Sequence, residues 1–248
     1  KLEGTPFEEE ARLALLSIYE RSRDWANATQ IAARLGDSTH GSFSTRQSHY
    51  LCEQANACVA TGDTATALDF LNQAVAMAPT SARPLIDLAK LQSQLGQGQD
   101  AFQTLGSLTI AVPQALPLAA NLLANVAQGI GEQPSALALL NTGYAQAPSI
   151  DLIEAIVKLE KDSLSSRDWY VTHMEREISL VAASKWIAGE KLEDEHHHAL
   201  VQRAMDQATK PLMRYRCAAC GFEASQHFWH CPGCQAWDSY PVRRIEEL

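Results

Sequence analysis

The chain has 248 residues, 46% of them hydrophobic and 20% charged, the balance of a soluble globular protein with room for one large or two modest domains. Only 7% are aromatic, while Ala, Leu and Gln are abundant, so the composition points to helices and excludes an all-β fold. Lys and Arg number 20 against 29 Asp and Glu, a net charge of −9 that argues against a general nucleic-acid binder.

No apolar run of about 18 residues occurs and no signal-peptide pattern opens the chain, so nothing in it is expected to span a bilayer. The chain starts at Lys1, not Met, which leaves room for an anchor or targeting segment ahead of it. Cys52 and Cys58 sit six apart in a helical pattern and cannot reach each other without strain, and the other four cysteines have metal spacing. This usage fits a reducing compartment, with the cytoplasm its natural setting.

Slid against itself, the sequence repeats. Ala55, Gly62, Ala67, Leu71 and Pro79 recur 34 residues later as Ala89, Gly96, Ala101, Leu105 and Pro113, and again one residue late as Gly131, Ala136, Leu140 and Pro148. That period and pattern are those of the tetratricopeptide repeat, a helix-turn-helix unit. The small residues let two helices approach closely, the glycines end the first helix, and the prolines stop the second. A degenerate copy covers residues 7–36, with Asp24-Trp25 at its turn. The repeats fall near 44–79, 80–113 and 114–148, and degenerate helices fill 149–209. Among these, 149–164 reads as helical, Ser166-Arg167-Asp168 precedes a helix containing Trp169 and Tyr170, and a last helix runs from about Leu192 to Ala208.

The expected fold is therefore all-α, a tetratricopeptide-repeat solenoid over residues 1–209 with a small C-terminal metal-binding domain in 210–248. Such solenoids bind peptides or proteins on a curved surface and rarely do chemistry. The face of each first helix away from its packing positions selects His49, Cys52 and Asn56 in one repeat and Arg83, Ile86 and Lys90 in the next. Of these, His49, Asn56, Arg83 and Lys90 are the candidate partner-binding residues.

After an extended linker at Lys210–Arg216, in which Pro211 blocks the helix, come Cys217-Ala-Ala-Cys220-Gly221-Phe222, a spacer of ten residues between the pairs, and Cys231-Pro232-Gly233-Cys234. Two Cys-x-x-Cys knuckles complete a tetrahedron of thiolates around one metal ion, iron or zinc, with Gly221 and Gly233 turning the backbone. Phe222, Phe228 and Trp229 form a hairpin that covers one side of the site, with Trp237 and Tyr240 on another. Two disulfides fit the compartment poorly, and a thioredoxin-like dithiol needs one such pair at a helix start. His227 and His230 flank the second knuckle, but four thiolates already fill the shell, so both read as surface or hairpin residues. A filled shell leaves no position for a bound water and no hydrolytic metal chemistry. Electron transfer on iron, or a nucleic-acid-binding zinc ribbon using Lys210, Arg214, Arg216, Arg243 and Arg244, stay as alternatives to a structural or docking module.

His196-His197-His198 lies in a helix, where neighbours point in different directions, and reads as a solvated polar face. Trp25, Trp169 and Trp186 read as packing residues. No phosphate loop, nucleophile elbow or His-Glu-x-x-His pattern is present, and no catalytic set assembles.

The combination of these repeats with Tyr215-Arg216-Cys217-x-x-Cys220-Gly221-Phe222 and Trp229-His230-Cys231-Pro232-x-Cys234-x-Ala236-Trp237 resembles the lipopolysaccharide assembly protein B (LapB) family of Gram-negative bacteria. Leu16-Ser17-Ile18-Tyr19-Glu20 with Asp24-Trp25, and His49-Tyr50-Leu51-Cys52-Glu53, are similar to the family's repeats. Gln235, where rubredoxins usually carry Gly, and the short spacer depart from true rubredoxins and weigh against electron transfer. The resemblance implies a non-enzymatic adaptor on the cytoplasmic side of the inner membrane, held there by an N-terminal transmembrane helix that this chain lacks. It further implies the FtsH protease, the LpxC deacetylase and a membrane-embedded regulator as partners, with LpxC degradation as the outcome and homodimerisation left open.

Overall fold

The computed structural model describes residues 7–38, 41–160, 163–190 and 195–248. Two compact units divide the chain at Val112 and Pro113, inside the repeat array and not at residue 210. The metal-binding segment thus shares its unit with the later helices.

The first unit, Lys1–Val112, contains α1 (Glu8–Ser22), α2 (Trp25–Leu35), a two-residue antiparallel pair of β1 (Asp37–Ser38) and β2 (Gly41–Ser42), α3 (Ser44–Thr61), α4 (Thr64–Met77), α5 (Ala82–Gln94) and α6 (Gly98–Ala111). Consecutive helices pack on each other in hairpins, and α3 also touches α5. The turn chemistry is local. Gly62 adopts φ +84° after α3, the left-handed cap that a side chain resists, and Asp63 then accepts a hydrogen bond from the Thr66 N–H at 3.1 Å to start α4. In the degenerate first repeat Arg23 holds that left-handed place, and Asp24 caps α2 through the Asn27 N–H at 3.2 Å.

Close approach is what the small residues supply. Ala55, Ala67, Ala89 and Ala101 are buried at 1% exposure or less, and Leu71 and Leu105 fill the remaining space. Trp25 of α2 stacks on Tyr50 of α3 with ring centroids 5.8 Å apart, so it bridges two repeats as expected of a packing residue.

The same close packing corrects the partner-binding assignment. His49 and Cys52 are fully buried, and Arg83 is 3% exposed. Arg83 reaches back along the array to donate to Glu53 Oε1 at 2.7 Å and also pairs with Asp87 at 3.2 Å. Helical phase alone placed these residues on an open face, but α3 and α5 lie side by side and cover it. Burial pushes the Asp87 carboxyl up, against the pull of Arg83. Asn56 and Lys90 are exposed, and Ile86 is half-buried.

The second unit, Pro113–Leu248, opens with α7 (Leu116–Ile130), α8 (Gln133–Gln146), α9 (Ile150–Leu159), α10 (Ser163–Arg176), α11 (Leu180–Ala188) and α12 (Glu195–Thr209). Helix α9 packs on α7, α8 and α10, while α11 lies between α10 and α12. Ala124, Ala136, Leu123 and Leu140 are wholly buried, and Ala124 is a small first-helix position of the third repeat that the motif alignment did not pick out.

Three expectations shift here. Glu160 ends α9, so 149–164 is not one helix, and Arg167 and Asp168 lie inside α10 and not before it. The expected helix start at Leu192 lies outside the described residues. The segment after α12 is not extended but a tight turn, with the Leu212 N–H bonded to Thr209 O at 2.9 Å and Arg214 N–H to Pro211 O at 3.2 Å. Of the three histidines, His197 is exposed and His198 Nε2 lies 3.2 Å from Ile187 O; the side chain of His196 lies outside the description. Trp169 donates to Glu160 at 2.9 Å and meets Tyr144 edge-on. No helix of the described residues is long and apolar enough to cross a membrane.

Two tests follow from this packing. Arg83→Ala leaves Glu53 and Asp87 facing each other without their cation, and chemical denaturation should show a loss of about 3–5 kcal/mol. In the second unit, His173 of α10 is buried with Nδ1 3.0 Å from the Tyr144 hydroxyl, and burial depresses its pKa. Its neutral form favours the fold, so its stabilising contribution is full above the unfolded histidine value of about 6.5 and is lost as pH falls below it. Denaturation midpoints of wild type and His173→Gln should therefore diverge above that pH and converge on acidification.

Candidate metal centre

Two short strands, β3 (Tyr215–Arg216) and β4 (Glu223–Ala224), pair antiparallel around the first knuckle, Tyr215 opposite Ala224 and Arg216 opposite Glu223. A single bridge between His230 and Trp237 closes the second. Both knuckles share one hydrogen-bond pattern. The Gly221 N–H donates to Cys217 O and the Cys217 N–H to Phe222 O; the Gln235 N–H donates to Cys231 O and the Cys231 N–H to Ala236 O, all at 2.9 Å.

This correspondence reassigns a glycine. Gly221 has φ +78°, and its counterpart is Gln235 at φ +61°, not Gly233. Gly233 meets a different constraint: a Cβ there would lie 3.3 Å from Cβ and Cδ2 of Phe222, which would have to shift by a few tenths of an ångström.

The two knuckles bring all four sulfurs within 4.8 Å of one another. Cys217 Sγ lies 3.8 Å from Cys234 Sγ, and Cys220 Sγ lies 3.7 Å from Cys231 Sγ. A tetrahedron with metal–sulfur bonds of about 2.3 Å has edges of about 3.8 Å, whereas a disulfide needs about 2.05 Å. The spacing fits four thiolates on one ion and does not fit two disulfides. Cys217 and Cys231, the first of each pair, are buried; Cys220 and Cys234 face outward.

Local dipoles favour the thiolate form of the two buried cysteines, Cys217 and Cys231, while at Cys220 the Phe222 N–H is outweighed by burial and the neighbouring sulfurs, which push the thiol up. Burial raises the Cys231 thiol, but the Cys234 and Gly233 N–H groups outweigh it and hold the pKa below its ordinary value. Cys217 is likewise raised by burial, and more than compensated by the Ser239 hydroxyl, 3.2 Å away, and by the Cys220 and Ala219 N–H groups. The chemistry that a bound ion supplies here is folding free energy, on the order of 10 kcal/mol for a structural thiolate site.

The aromatic cover is denser than the sequence implied. Of the two readings of His227, surface or hairpin residue, the second holds: it is half-buried, its ring meets Tyr215, Trp229 and Tyr240 edge-on, its Nε2 lies 3.1 Å from Tyr240 O, and burial lowers its pKa. His230 stacks on Trp237 at 4.2 Å. Neither histidine joins the sulfur cluster. Tyr215, Cys217, Cys231 and Tyr240 make one buried cluster, against which Leu118 of α7 packs.

The last five residues fasten this module to the helices, a feature that the sequence reading missed. Arg244 forks onto Asp151 of α9 with Nε–Oδ2 2.9 Å and Nη2–Oδ1 2.8 Å. Its third arm donates to Met213 O at 2.6 Å, and its guanidinium lies 4.2 Å from the Tyr215 ring centroid. Glu247 then accepts from the Ile150 N–H at 2.6 Å, and Glu246 accepts from the Val181 N–H and the Ser179 hydroxyl, both at 2.9 Å. The two carboxylates thus sit at the N-termini of α9 and α11, where unpaired N–H groups and the helix dipole favour a negative charge.

Comparison with known proteins agrees with this arrangement. Residues 215–240 match the family described as rubredoxin metal binding domain, and residues 59–126 match the tetratricopeptide repeat. Over 98% of the chain the sequence is 27% identical to lipopolysaccharide assembly protein B of Escherichia coli K12, and over 97% it is 24% identical to that of Haemophilus influenzae. The chain spans 65% and 63% of the length of these relatives. Among solved structures, a tetratricopeptide-repeat protein of Thermus thermophilus covers 79% of this chain and 98% of its own, at 15% identity and a TM-score of 0.40. The resemblance to the LapB family read from the motifs holds along nearly the whole chain, which is a repeat protein carrying one rubredoxin-like metal site.

The knuckle correspondence is testable. Gly221→Ala places a side chain in the left-handed region with no steric contact nearby, and should cost about 1–2 kcal/mol. Gln235→Gly removes the same strain and should be neutral or stabilising by up to about 1 kcal/mol. Thermal denaturation of the metal-loaded protein distinguishes the two, and equal losses in both variants would contradict the assignment.

Proposed function

We propose that the chain is the partner-binding part of a non-enzymatic adaptor in lipopolysaccharide assembly, which promotes proteolysis of the LpxC deacetylase by the FtsH protease under the control of a membrane-embedded regulator. The observation that carries this reading is the fastening of a closed thiolate module onto α9 and α11 by Arg244, Glu246 and Glu247. A site whose four ligand positions are filled by protein offers a folding nucleus, not an open coordination position. Its attachment to repeat helices makes it part of the surface that those helices present. Similarity to lipopolysaccharide assembly protein B over 98% of the chain supplies the biological setting.

In this reading the metal, zinc or iron, folds the module, and the folded module fixes the helices with which partners dock. Asn56 and Lys90, which are exposed on α3 and α5, remain candidates for partner contact in the first unit. The rest of the protein, beyond the 65% of its relatives that this chain spans, would carry the membrane helix that keeps the adaptor on the cytoplasmic face of the inner membrane.

Affinity capture from native membranes, with LpxC turnover followed in parallel, tests the proposal. Cys231→Ser and Arg244→Ala should each lower capture of the protease and the deacetylase and lengthen the LpxC half-life several-fold. Partners retained and LpxC degraded at the wild-type rate in both variants would sink it.

A further inference from the structure

The four sulfurs of the metal centre are not equivalent. Cys217 and Cys231, the first of each knuckle, are 1% and 0% exposed and lie in one buried cluster with Tyr215 and Tyr240. Cys220 and Cys234, the second of each, are exposed. Hydrogen bonds sharpen the division. Cys217 takes the N–H groups of Cys220 and Ala219, and Cys231 those of Cys234 and Gly233, whereas the donor to Cys220 is the Phe222 N–H. Each donor draws charge from its sulfur and lowers its nucleophilicity, so the inner pair is both covered and quenched. The approach to the outer pair is uncharged: residues 217–222 and 231–237 hold no charged side chain, and Ala218, Ala219, Gly221, Pro232 and Gly233 are exposed.

We propose that Cys220 and Cys234 are modification sites for a peroxide, and that their oxidation opens the metal centre and frees the tail from the helices. Thiolates bound to a metal stay deprotonated at neutral pH, so exposure decides which of the four reacts. Hydrogen peroxide is small and neutral, and no carboxylate stands in either knuckle loop to shield the outer sulfurs. The Cys220 sulfur attacks one peroxide oxygen, the O–O bond breaks, and the departing hydroxide takes a proton to become water, leaving a sulfenic acid. A resolving sulfur is in place across the knuckles: Cys231 Sγ lies 3.7 Å from Cys220 Sγ, and Cys217 Sγ 3.8 Å from Cys234 Sγ. It attacks the oxidised sulfur and expels a second hydroxide, which takes a second proton. Two thiolates lose two electrons in all, and one peroxide becomes two waters.

An S–S bond of about 2.05 Å draws the pair together by about 1.7 Å and leaves two thiolates where four had held the ion. The knuckles then lose the metal that folds them, and with them the Tyr215 face under Arg244 and the capping carboxylates of the tail. A thiol reductant and fresh metal reverse the change. The proposal rests on the thiolate site and not on the adaptor reading; partner capture can fail while the sulfurs keep this order of reactivity, and the reverse.

The zinc-loaded wild-type protein is the material for the test, because zinc has no redox chemistry of its own. Limiting N-ethylmaleimide, with the first modified position read by fragment mass spectrometry, should mark Cys220 and Cys234 at least about tenfold faster than Cys217 and Cys231. Hydrogen peroxide should release about one zinc ion per chain to a chromogenic chelator, with Cys220–Cys231 and Cys217–Cys234 bridges in the product. Dithiothreitol with added zinc should restore the free thiols and the bound metal. Equal labelling of the four cysteines, zinc retained by the oxidised protein, or bridges confined within a knuckle overturns the proposal.

Discussion

The fork between Arg244 and Asp151 joins two parts of the chain that neither could organise alone. Asp151 opens α9, and Arg244 closes the metal module, 93 residues later. The guanidinium satisfies the carboxylate, the Met213 carbonyl and the face of Tyr215 together, so removing it would strand a largely desolvated carboxylate at a cost of several kcal/mol. On this anchor the next residues place Glu247 and Glu246 at the starts of α9 and α11. A module of some forty residues has too little core to hold such a geometry by burial alone, which is where the thiolate site enters. Its sulfurs set the two knuckles, the knuckles set Tyr215 and Tyr240, and Tyr215 supports Arg244 from below.

The repeats contribute a different kind of order. Ala55 and Ala89 let α3 and α5 approach in the first unit, Ala124 is buried in the second, and polar contacts then run between neighbouring repeats: Arg83 to Glu53, Lys158 to Asn121, Tyr144 to His173. Each of these ties one repeat to the next within its unit, so a repeat is held by its neighbours more than by itself. The last repeat of such an array has no following repeat to cover it. Here the metal module takes that place for α9 and α11, and the adaptor reading follows from a binding surface whose end is shaped by a metal-dependent cap.

Features with a local cause were legible in the sequence. The helix-turn-helix period, the capping aspartates and the four cysteines each depend on residues a few positions apart. What failed depended on distant partners. Helical phase put His49 and Arg83 on an open face because it could not show that Glu53, thirty residues before Arg83, would draw that side chain inward. Gly233 was credited with the knuckle turn because glycine is the usual left-handed residue, yet Gln235 occupies the equivalent position and Gly233 answers to Phe222. The tail was read only for Arg243 and Arg244, as cations of a zinc-ribbon alternative. Its capping role has no signature, since its acceptors and donors sit 65 to 97 residues away.

The central claim is that the metal holds the tail in place and the tail holds two helix starts. Amide hydrogen exchange at Ile150 and Val181, measured in the metal-loaded protein and after chelation, tests it directly. The account predicts exchange faster by about tenfold to a hundredfold at both amides on metal loss, in keeping with one charged hydrogen bond each, while Leu123 in the core of α7 changes far less. Unchanged protection at Ile150 and Val181 after the metal is removed would contradict it.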